Sequence, residues 1–268
     1  MTLLRLLLLY GLISFALAQG ASAYSVQDDI QSMNAYKAKP GHKEMASIVY
    51  SQAVEQLRKQ NYLKARPLLE EAIRLDPGCA DFYSSYGYCQ TWLTNNKEGA
   101  EALARALALG QPKSIYFYRK AICYFSTMQF KEAITELNKL LAKDPTNALA
   151  LRLRGRCYRT LHEDNSSVAD FSELIKLNAY TAEAYTERGN IYANSNQSDK
   201  ALQDFNAAIK ANSAYGEAYV GRANIYYSRH NFQAAADNYT AANVYGNDKT
   251  GFCNLQRKLC IDAQKGAR

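Results

Sequence analysis

The sequence predicts an all-α fold, in which six helix hairpins stack into a right-handed solenoid and one further helix caps it. Three observations predict this fold. The 268-residue chain repeats its residue types every 34 positions, without an insertion. Each 34-residue segment holds two stretches of apolar residues at helical spacing, separated by polar turn residues such as Ser195 to Ser198. Pro77 and Pro145 follow aspartates where the second helix should end, because proline lacks a backbone N–H and clashes with the preceding turn.

The six repeats begin at Ala46. They occupy residues 46–79, 80–113, 114–147, 148–181, 182–215 and 216–247. Small residues return at the eighth and twentieth positions, whereas large residues return at the eleventh and twenty-fourth. The eighth position holds Ala53, Gly87, Ala121, Gly155, Gly189 and Ala223, and the twenty-fourth holds Leu69, Leu103, Leu137, Phe171, Phe205 and Tyr239. Small residues predict where the two helices of a hairpin cross most closely, and one hairpin alone leaves a face uncovered, so successive hairpins must stack.

The Gly/Ala-x-x-Tyr, Ala-x-x-x-Phe and Asp-Pro pattern at this period resembles the tetratricopeptide repeat (TPR) family. The resemblance covers residues 46–247 in six copies that share one register. It departs from the family pattern at Gln56 and Gln90, which stand at the eleventh position, and in the last three repeats, which lack the proline. The resemblance implies a solenoid of helix hairpins that binds another protein or a peptide.

Residues 1–23 have the pattern of a secretory signal, with a short basic start, an apolar stretch from Leu6 to Ala18 and small residues before Tyr24. We expect cleavage after Ala23, and hence an exported protein that is periplasmic or secreted. An uncleaved membrane anchor is the alternative, although about 16 apolar residues are fewer than the roughly 20 that span a bilayer. Residues 24–45 are interpreted as a lead-in segment to the first repeat.

The C-terminal residues 248–268 are predicted to form a capping helix and a polar tail. Phe252, Leu255 and Leu259 recur at helical spacing, and this apolar face is expected to cover the last hairpin.

Composition and motifs argue against several classes of function. The chain has 32 basic and 25 acidic residues, which is a mild excess on a mixed surface, and we do not expect it to bind nucleic acid. It contains no phosphate-binding glycine loop, nucleophile elbow or paired-histidine metal motif, and its three histidines lie far apart. We therefore predict no catalytic residue, no metal site, no cofactor and no enzymatic activity. The sequence does not predict an oligomeric state.

Three of the six cysteines share the tenth repeat position, where later repeats carry Ile191 and Ile225. They are Cys89, Cys123 and Cys157. Side chains that alternate with isoleucine are expected to fill the core, and stacked helices keep equivalent Cα atoms too far apart for a bridge. We predict three free, buried thiols.

Cys253 and Cys260 are seven residues apart, which is about 10 Å along a helix. They can form a disulfide only if the segment is not helical throughout, so both the bridged and the free state remain open.

A ladder of basic residues occupies the seventh position, and acids recur at the twenty-third. The basic residues are Lys120, Arg154, Arg188 and Arg222, and the acids are Glu136, Asp170 and Asp204. The pattern predicts structural ion pairs between neighbouring helices.

In the TPR family, the first helices of successive hairpins line a concave face through the second, fifth, ninth, twelfth and thirteenth positions. Transferred residue by residue, the resemblance implies a groove lined by Tyr88, Trp92, Tyr118, Ile122, Phe125, Arg152, Arg156, Arg159, Asn190, Asn224 and Tyr227. The aromatic residues would take an apolar side chain and the three arginines an acidic one, from a single extended peptide. Alternatively, Glu183, Glu187 and Glu217 neutralise the arginines within the fold.

The sequence therefore predicts a non-enzymatic scaffold that holds a protein or peptide partner in its groove, without stable membrane insertion once the signal is cleaved. A structural or assembly component that docks folded partners is one alternative. A binder of an anionic polymer or carbohydrate, acting through the arginines and tyrosines, is the other.

Overall fold

The computed structural model describes residues 34, 44–110, 113–246 and 251–266. Within them the chain forms thirteen α-helices and no strand, as the sequence predicts. In chain order the helices are α1 (Glu44–Arg58), α2 (Tyr62–Leu75), α3 (Ala80–Trp92), α4 (Asn96–Leu109), α5 (Ser114–Ser126), α6 (Phe130–Leu141), α7 (Ala148–Thr160), α8 (Asp164–Lys176), α9 (Thr181–Asn194), α10 (Ser198–Ala211), α11 (Gly216–Ser228), α12 (Phe232–Gly246) and α13 (Phe252–Gly266). Each predicted repeat holds one pair, so odd-numbered helices up to α11 are first helices and even-numbered ones are second helices.

The predicted signal segment, and the lead-in apart from residues 34, 44 and 45, lie outside the described residues. Among the helices that the structure does describe, none combines the length and the apolar composition needed to cross a bilayer.

The chain divides into two compact units, Met1–Ala150 (unit 1) and Leu151–Arg268 (unit 2). In unit 1, α1 to α6 form three hairpins, and Tyr50, Leu69 and Phe82 lie fully buried in the core around the first hairpin. In unit 2, the large residues of the twenty-fourth position, including Phe171 and Phe205, are likewise fully buried. The first helices α9 and α11 also pack against each other, as successive repeats require.

The eighth position is a point of close helix crossing, as predicted. A Cβ atom built on Gly189 would lie 2.9 Å from Cε1 of Phe205 on the second helix of the same hairpin. A Cβ atom on Gly87 would lie 2.8 Å from the carbonyl oxygen of Gly99, a backbone atom that cannot rotate away. Large twenty-fourth residues therefore pack directly over the small eighth residues of their own repeat.

Each hairpin turns through a residue with left-handed backbone conformation at the fifteenth position. These residues are Gln60, Thr94, Met128, His162, Asn196 and His230, with φ between 55° and 66°. In every repeat the following N–H donates to the carbonyl of the eleventh residue, as from Asn61 to Gln56 at 2.9 Å. This bond satisfies carbonyls at the end of the first helix. Because none of the six residues is glycine, the sequence does not mark this turn geometry.

The predicted capping helix is present, but it uses a different face from the one expected. Helix α13 packs against α12 through Cys253, Cys260 and Ile261. Leu255 is 57% exposed and Leu259 45%, and Phe252 is exposed with them. The helix carries two apolar stripes, and helical periodicity alone does not say which of them meets the hairpin.

Candidate functional site

Four of the apolar residues predicted to line the groove are buried. Tyr88, Tyr118, Ile122 and Phe125 in unit 1 are each 3% exposed or less. They offer almost no surface to a partner, and their contribution is packing. The expectation that these four side chains line an open apolar pocket is therefore wrong. The physical reason is that large apolar side chains on a first helix gain more from burial in the stack than from exposure to water.

Trp92 remains half-buried at the end of α3. Its ring stacks on Tyr62 with centroids 5.5 Å apart and planes 8° apart, and Tyr88 meets both rings edge-on. The indole Nε1 is buried and has no hydrogen-bond partner among the described residues. Tyr62 was not predicted for this cluster, because it belongs to the second helix of the preceding repeat.

Two of the predicted groove arginines on α7, Arg152 and Arg159, pair with acids within unit 2. Arg152 Nε donates to Glu183 Oε1 at 2.7 Å, and Nη1 of Arg159 lies 2.6 Å from Glu187 Oε2. Arg152 and Arg156 are each only 9% exposed. The predicted alternative, in which acids of the next repeat neutralise the arginines, therefore holds for Arg152 and Arg159. The charge of these two side chains is satisfied inside the fold.

Two tyrosines that were not predicted from the sequence lie beside the Arg152–Glu183 pair. The guanidinium of Arg152 lies 4.7 Å from the ring centroid of Tyr180, a cation–π contact. Tyr180 has a left-handed backbone with φ of 50°, which is rare for a bulky residue. Burial, reinforced by the nearby carboxylates of Glu183 and Glu217, raises the pKa of Tyr215 far above its ordinary range. Both tyrosines lie in the turns between hairpins, where the repeat pattern carries no signal.

The asparagines at the ninth position present polar groups on the first helices of unit 2. Asn190 on α9 is partly exposed, and Asn224 on α11 is exposed. The hydroxyl of Tyr239 donates to Oδ1 of Asn224. This bond holds the carboxamide through its oxygen, and because Asn224 is exposed its Nδ2 group can donate to a partner. Tyr227, one helical turn beyond Asn224, is 40% exposed, and its ring packs edge-on against Phe232.

Family comparison agrees with the repeat register. The sequence model of the tetratricopeptide repeat matches residues 50–115, 93–148 and 186–244, which together are more than half of the chain. The chain belongs to the TPR family. No curated protein sequence matches it.

Solved TPR structures share the fold at low sequence identity. A TPR protein from Parabacteroides merdae ATCC 43184 is 17% identical with a TM-score of 0.61, over 82% of this chain and 100% of that one. PilW, a type IV pilus biogenesis factor, is 17% identical with a TM-score of 0.69, over 80% and 99%. YrrB, a TPR protein with an unusual peptide-binding site, is 20% identical with a TM-score of 0.54, over 62% and 86%. These likenesses show the fold.

The basic ladder of this TPR chain is structural, as predicted, and it links the two helices of the hairpin in the third to sixth repeats. Arg154 donates through Nε and Nη2 to both carboxylate oxygens of Asp170, and Arg188 binds Asp204 in the same bidentate way. Lys120 pairs with Glu136 at 3.1 Å. In the sixth repeat Arg222 meets Asn238 instead of an acid. None of these side chains belongs to the ninth-position face.

The cysteines are free thiols, which confirms the prediction for the tenth position and resolves the alternatives at the C-terminus. Cys253 and Cys260 both lie within the continuous helix α13 and do not bridge. Cys89 and Cys123 donate to the carbonyl oxygens of Tyr62 and Asn96, each the seventeenth residue of the preceding repeat. Among the described residues no group of histidine, cysteine and acidic side chains could hold a metal ion.

Proposed function

We propose that this TPR chain is a non-enzymatic scaffold that holds an extended segment of another protein on the first-helix face of unit 2. We call this surface, formed by Asn190, Asn224 and Tyr227, the asparagine face. The TPR fold itself supports a role in protein–protein interaction. The observation that carries the finer proposal is the exposed carboxamide of Asn224, which Tyr239 holds through its oxygen.

Two carboxamides at equivalent positions of adjacent helices suit the backbone of an extended peptide. Asn190 and Asn224 are 34 residues apart in the sequence, on helices that pack together. Each amide can donate to a peptide carbonyl, and Asn190 can also accept from a peptide N–H. The exposed ring of Tyr227 adds apolar contact for one side chain of the peptide.

Arg152 and Arg159 contribute by positioning the helix that carries Asn190. The Arg152–Glu183 and Arg159–Glu187 pairs link α7 to α9, which carries Asn190. Because these charges are neutralised internally, we expect the affinity for a peptide to change less than about twofold between low and physiological salt. Recognition of an anionic polymer would require free positive charge on this face, and the pairing of Arg152 and Arg159 argues against that alternative.

The test is selection from a random peptide library on wild-type protein, followed by binding measurements on variants. Asn190→Ala combined with Asn224→Ala should abolish binding of the selected peptides while the protein stays folded by circular dichroism, with a modest loss of melting temperature because Tyr239 loses its acceptor. The matched control is Asn165→Ala, which removes an exposed asparagine from the second helix α8. Equal binding by the control and by the double variant would refute the asparagine face.

We also propose that the protein acts in the cell envelope or the secretory space, on the pattern of residues 1–23. Fusion of residues 1–30 to a reporter should carry it across a membrane and give a mature product that begins near Tyr24. A reporter that stays in the cytosol with an intact N-terminus would contradict the proposed localisation. It would not bear on the proposal that the asparagine face binds a peptide.

A further inference from the structure

Helix α1, the first helix of unit 1, has two apolar side chains that no described residue covers. Met45 is 60% exposed and Ile48 is 44% exposed. Ile48 occupies the third repeat position. The residues at this position in the five later repeats are each 1% exposed or less, and they are Phe82, Tyr116, Ala150, Ala184 and Ala218. Among the described residues, the first repeat therefore lacks a cover that every later repeat has.

In the later repeats the second helix of the preceding hairpin packs against the first helix that carries this position. Phe82 belongs to the same buried cluster as Leu69 and Ala72 of α2, and α2 packs against α3. Helices α8 and α10 pack in the same way against α9 and α11. A helix in the corresponding place before α1 would take Ile48 out of water, which is favourable for an apolar side chain.

The segment that directly precedes α1 has a sequence suited to this place. Val26, Ile30 and Met33 recur at intervals of four and three residues, which predicts a helix with one apolar side. Residues 24–36 are as many as the residues of α8, which has 13. Asn34, which the structure describes, is helical and exposed. The segment can therefore supply one more helix of the length that the repeats use.

The connection between this segment and α1 allows the chain to turn back. Pro40-Gly41 lies just before α1, much as Pro77-Gly78 lies just before α3. Residues 37–43 span a connection within the range of about 2 to 8 residues that joins neighbouring helices of a bundle. Such short connections make the two helices antiparallel neighbours. Residues 24–36 and α1 also belong to the same compact unit.

We propose that residues 24–36 form an amphipathic helix that packs antiparallel on α1 and covers Met45 and Ile48. It takes the place that a second helix occupies before each later repeat. This occupant is favoured over a second copy of the chain, because a short connection holds it at an effective concentration of roughly millimolar. The segment follows Ala23, so it stays on the chain whether or not the signal is removed. The proposal is independent of the asparagine face.

Thiol labelling of the whole chain tests whether α1 is covered. Ile48→Cys places a thiol on the stripe, and the matched control Leu63→Cys places one on α2 at the eighteenth repeat position, which is exposed in all six repeats. Peptide mass spectrometry after maleimide treatment distinguishes each new thiol from the native cysteines. Each labelling rate is divided by the rate of the same thiol in the unfolded chain.

The normalised rate at residue 48 should be at least roughly tenfold lower than the rate at residue 63, because a packed helix must open before the reagent reaches the thiol. Equal normalised rates at the two positions would overturn the proposal.

A second pair of variants identifies the segment that provides the cover. Ile30→Asp, combined with Ile48→Cys, should raise the rate at residue 48 to the rate at residue 63. Gln31→Asp adds the same charge one residue further on, about 100° around the helix and away from the apolar side, and should leave the protection in place. Circular dichroism checks that both proteins are folded. Protection that survives Ile30→Asp, or that Gln31→Asp removes equally, would refute the assignment.

Protein concentration separates the segment from a second copy of the chain. Protection at residue 48 should be the same at low and at high protein concentration, because the contact lies within one chain. Protection that appears only at high concentration would assign the stripe to a second copy, and the proposal would be wrong.

Discussion

At the eighth repeat position, the size of one side chain decides how closely two helices approach. Sequence reasoning identified this position from its small residues alone, and the structure shows the physical reason in the ring of Phe205 next to Gly189. The seventh and twenty-third positions were likewise predictable, because opposite charges recur in register. The roles of Tyr180 and Tyr215 were not predictable, because both residues lie between hairpins. No other repeat has a tyrosine at the corresponding position.

Replacing Gly189 with leucine should lower the free energy of unfolding by about 1 to 3 kcal/mol, because the new side chain overpacks the crossing with Phe205. Urea denaturation measures the change. Gly110→Ala is the control, since a Cβ atom there meets its nearest neighbour, Ala80, at 3.8 Å and should cost little. A Gly189→Leu protein as stable as wild type would show that the helices do not cross at this position.

The thiols of the tenth position should be inert in the folded protein at pH 8. Burial raises the pKa of Cys89 and of Cys157 to about 12, so both remain protonated far above neutral pH. The thiolate is the form that reacts with iodoacetamide. Mass spectrometry should find Cys89, Cys123 and Cys157 unmodified in native protein and all six cysteines modified after unfolding. Rapid labelling of Cys157 in native protein would contradict its burial.

At the scale of the element, the hairpin turns show what a repeat pattern does not reveal. The pattern predicts that a turn exists, and the structure adds that its fifteenth residue is left-handed in all six repeats. A non-glycine residue in this conformation costs roughly 1 to 2 kcal/mol, and part of that cost is recovered by substituting glycine.

Gln60→Gly should therefore raise the free energy of unfolding by about 0.5 to 1 kcal/mol, because Gln60 has φ of 55° and is exposed. The matched control is Gln52→Gly, an exposed glutamine in the interior of α1, where glycine should cost about 1 kcal/mol. Thermal denaturation should move the two variants in opposite directions. A loss of stability in both would show that the turn does not hold residue 60 in the left-handed region.

Helix α13 illustrates a second limit at this scale. Its existence followed from helical spacing, but its orientation did not, because the stripe of Cys253 and Cys260 competes with the stripe of Leu255 and Leu259. The structure places the stripe of Cys253 and Cys260, together with Ile261, against α12.

At the scale of the whole molecule, the 34-residue period predicted the helix order and the family, because every repeat reports the same local packing. The candidate site was less predictable. Position within the repeat selected the first-helix face, but it did not separate side chains that the stack buries, such as Tyr118, from those it leaves to a partner, such as Tyr227. The burial of a side chain depends on the residues of neighbouring repeats. Assigning groove residues from their position within one repeat does not take those neighbours into account.

The central claim is that unit 2 binds an extended peptide through first helices, and hydrogen–deuterium exchange tests it most directly. The full chain is compared with and without a peptide selected on it. We predict added protection in α9 (Thr181–Asn194) and α11 (Gly216–Ser228), with little change in the second helices α8 and α10. Protection confined to α8 and α10, or to α13, would contradict the asparagine face as the binding site.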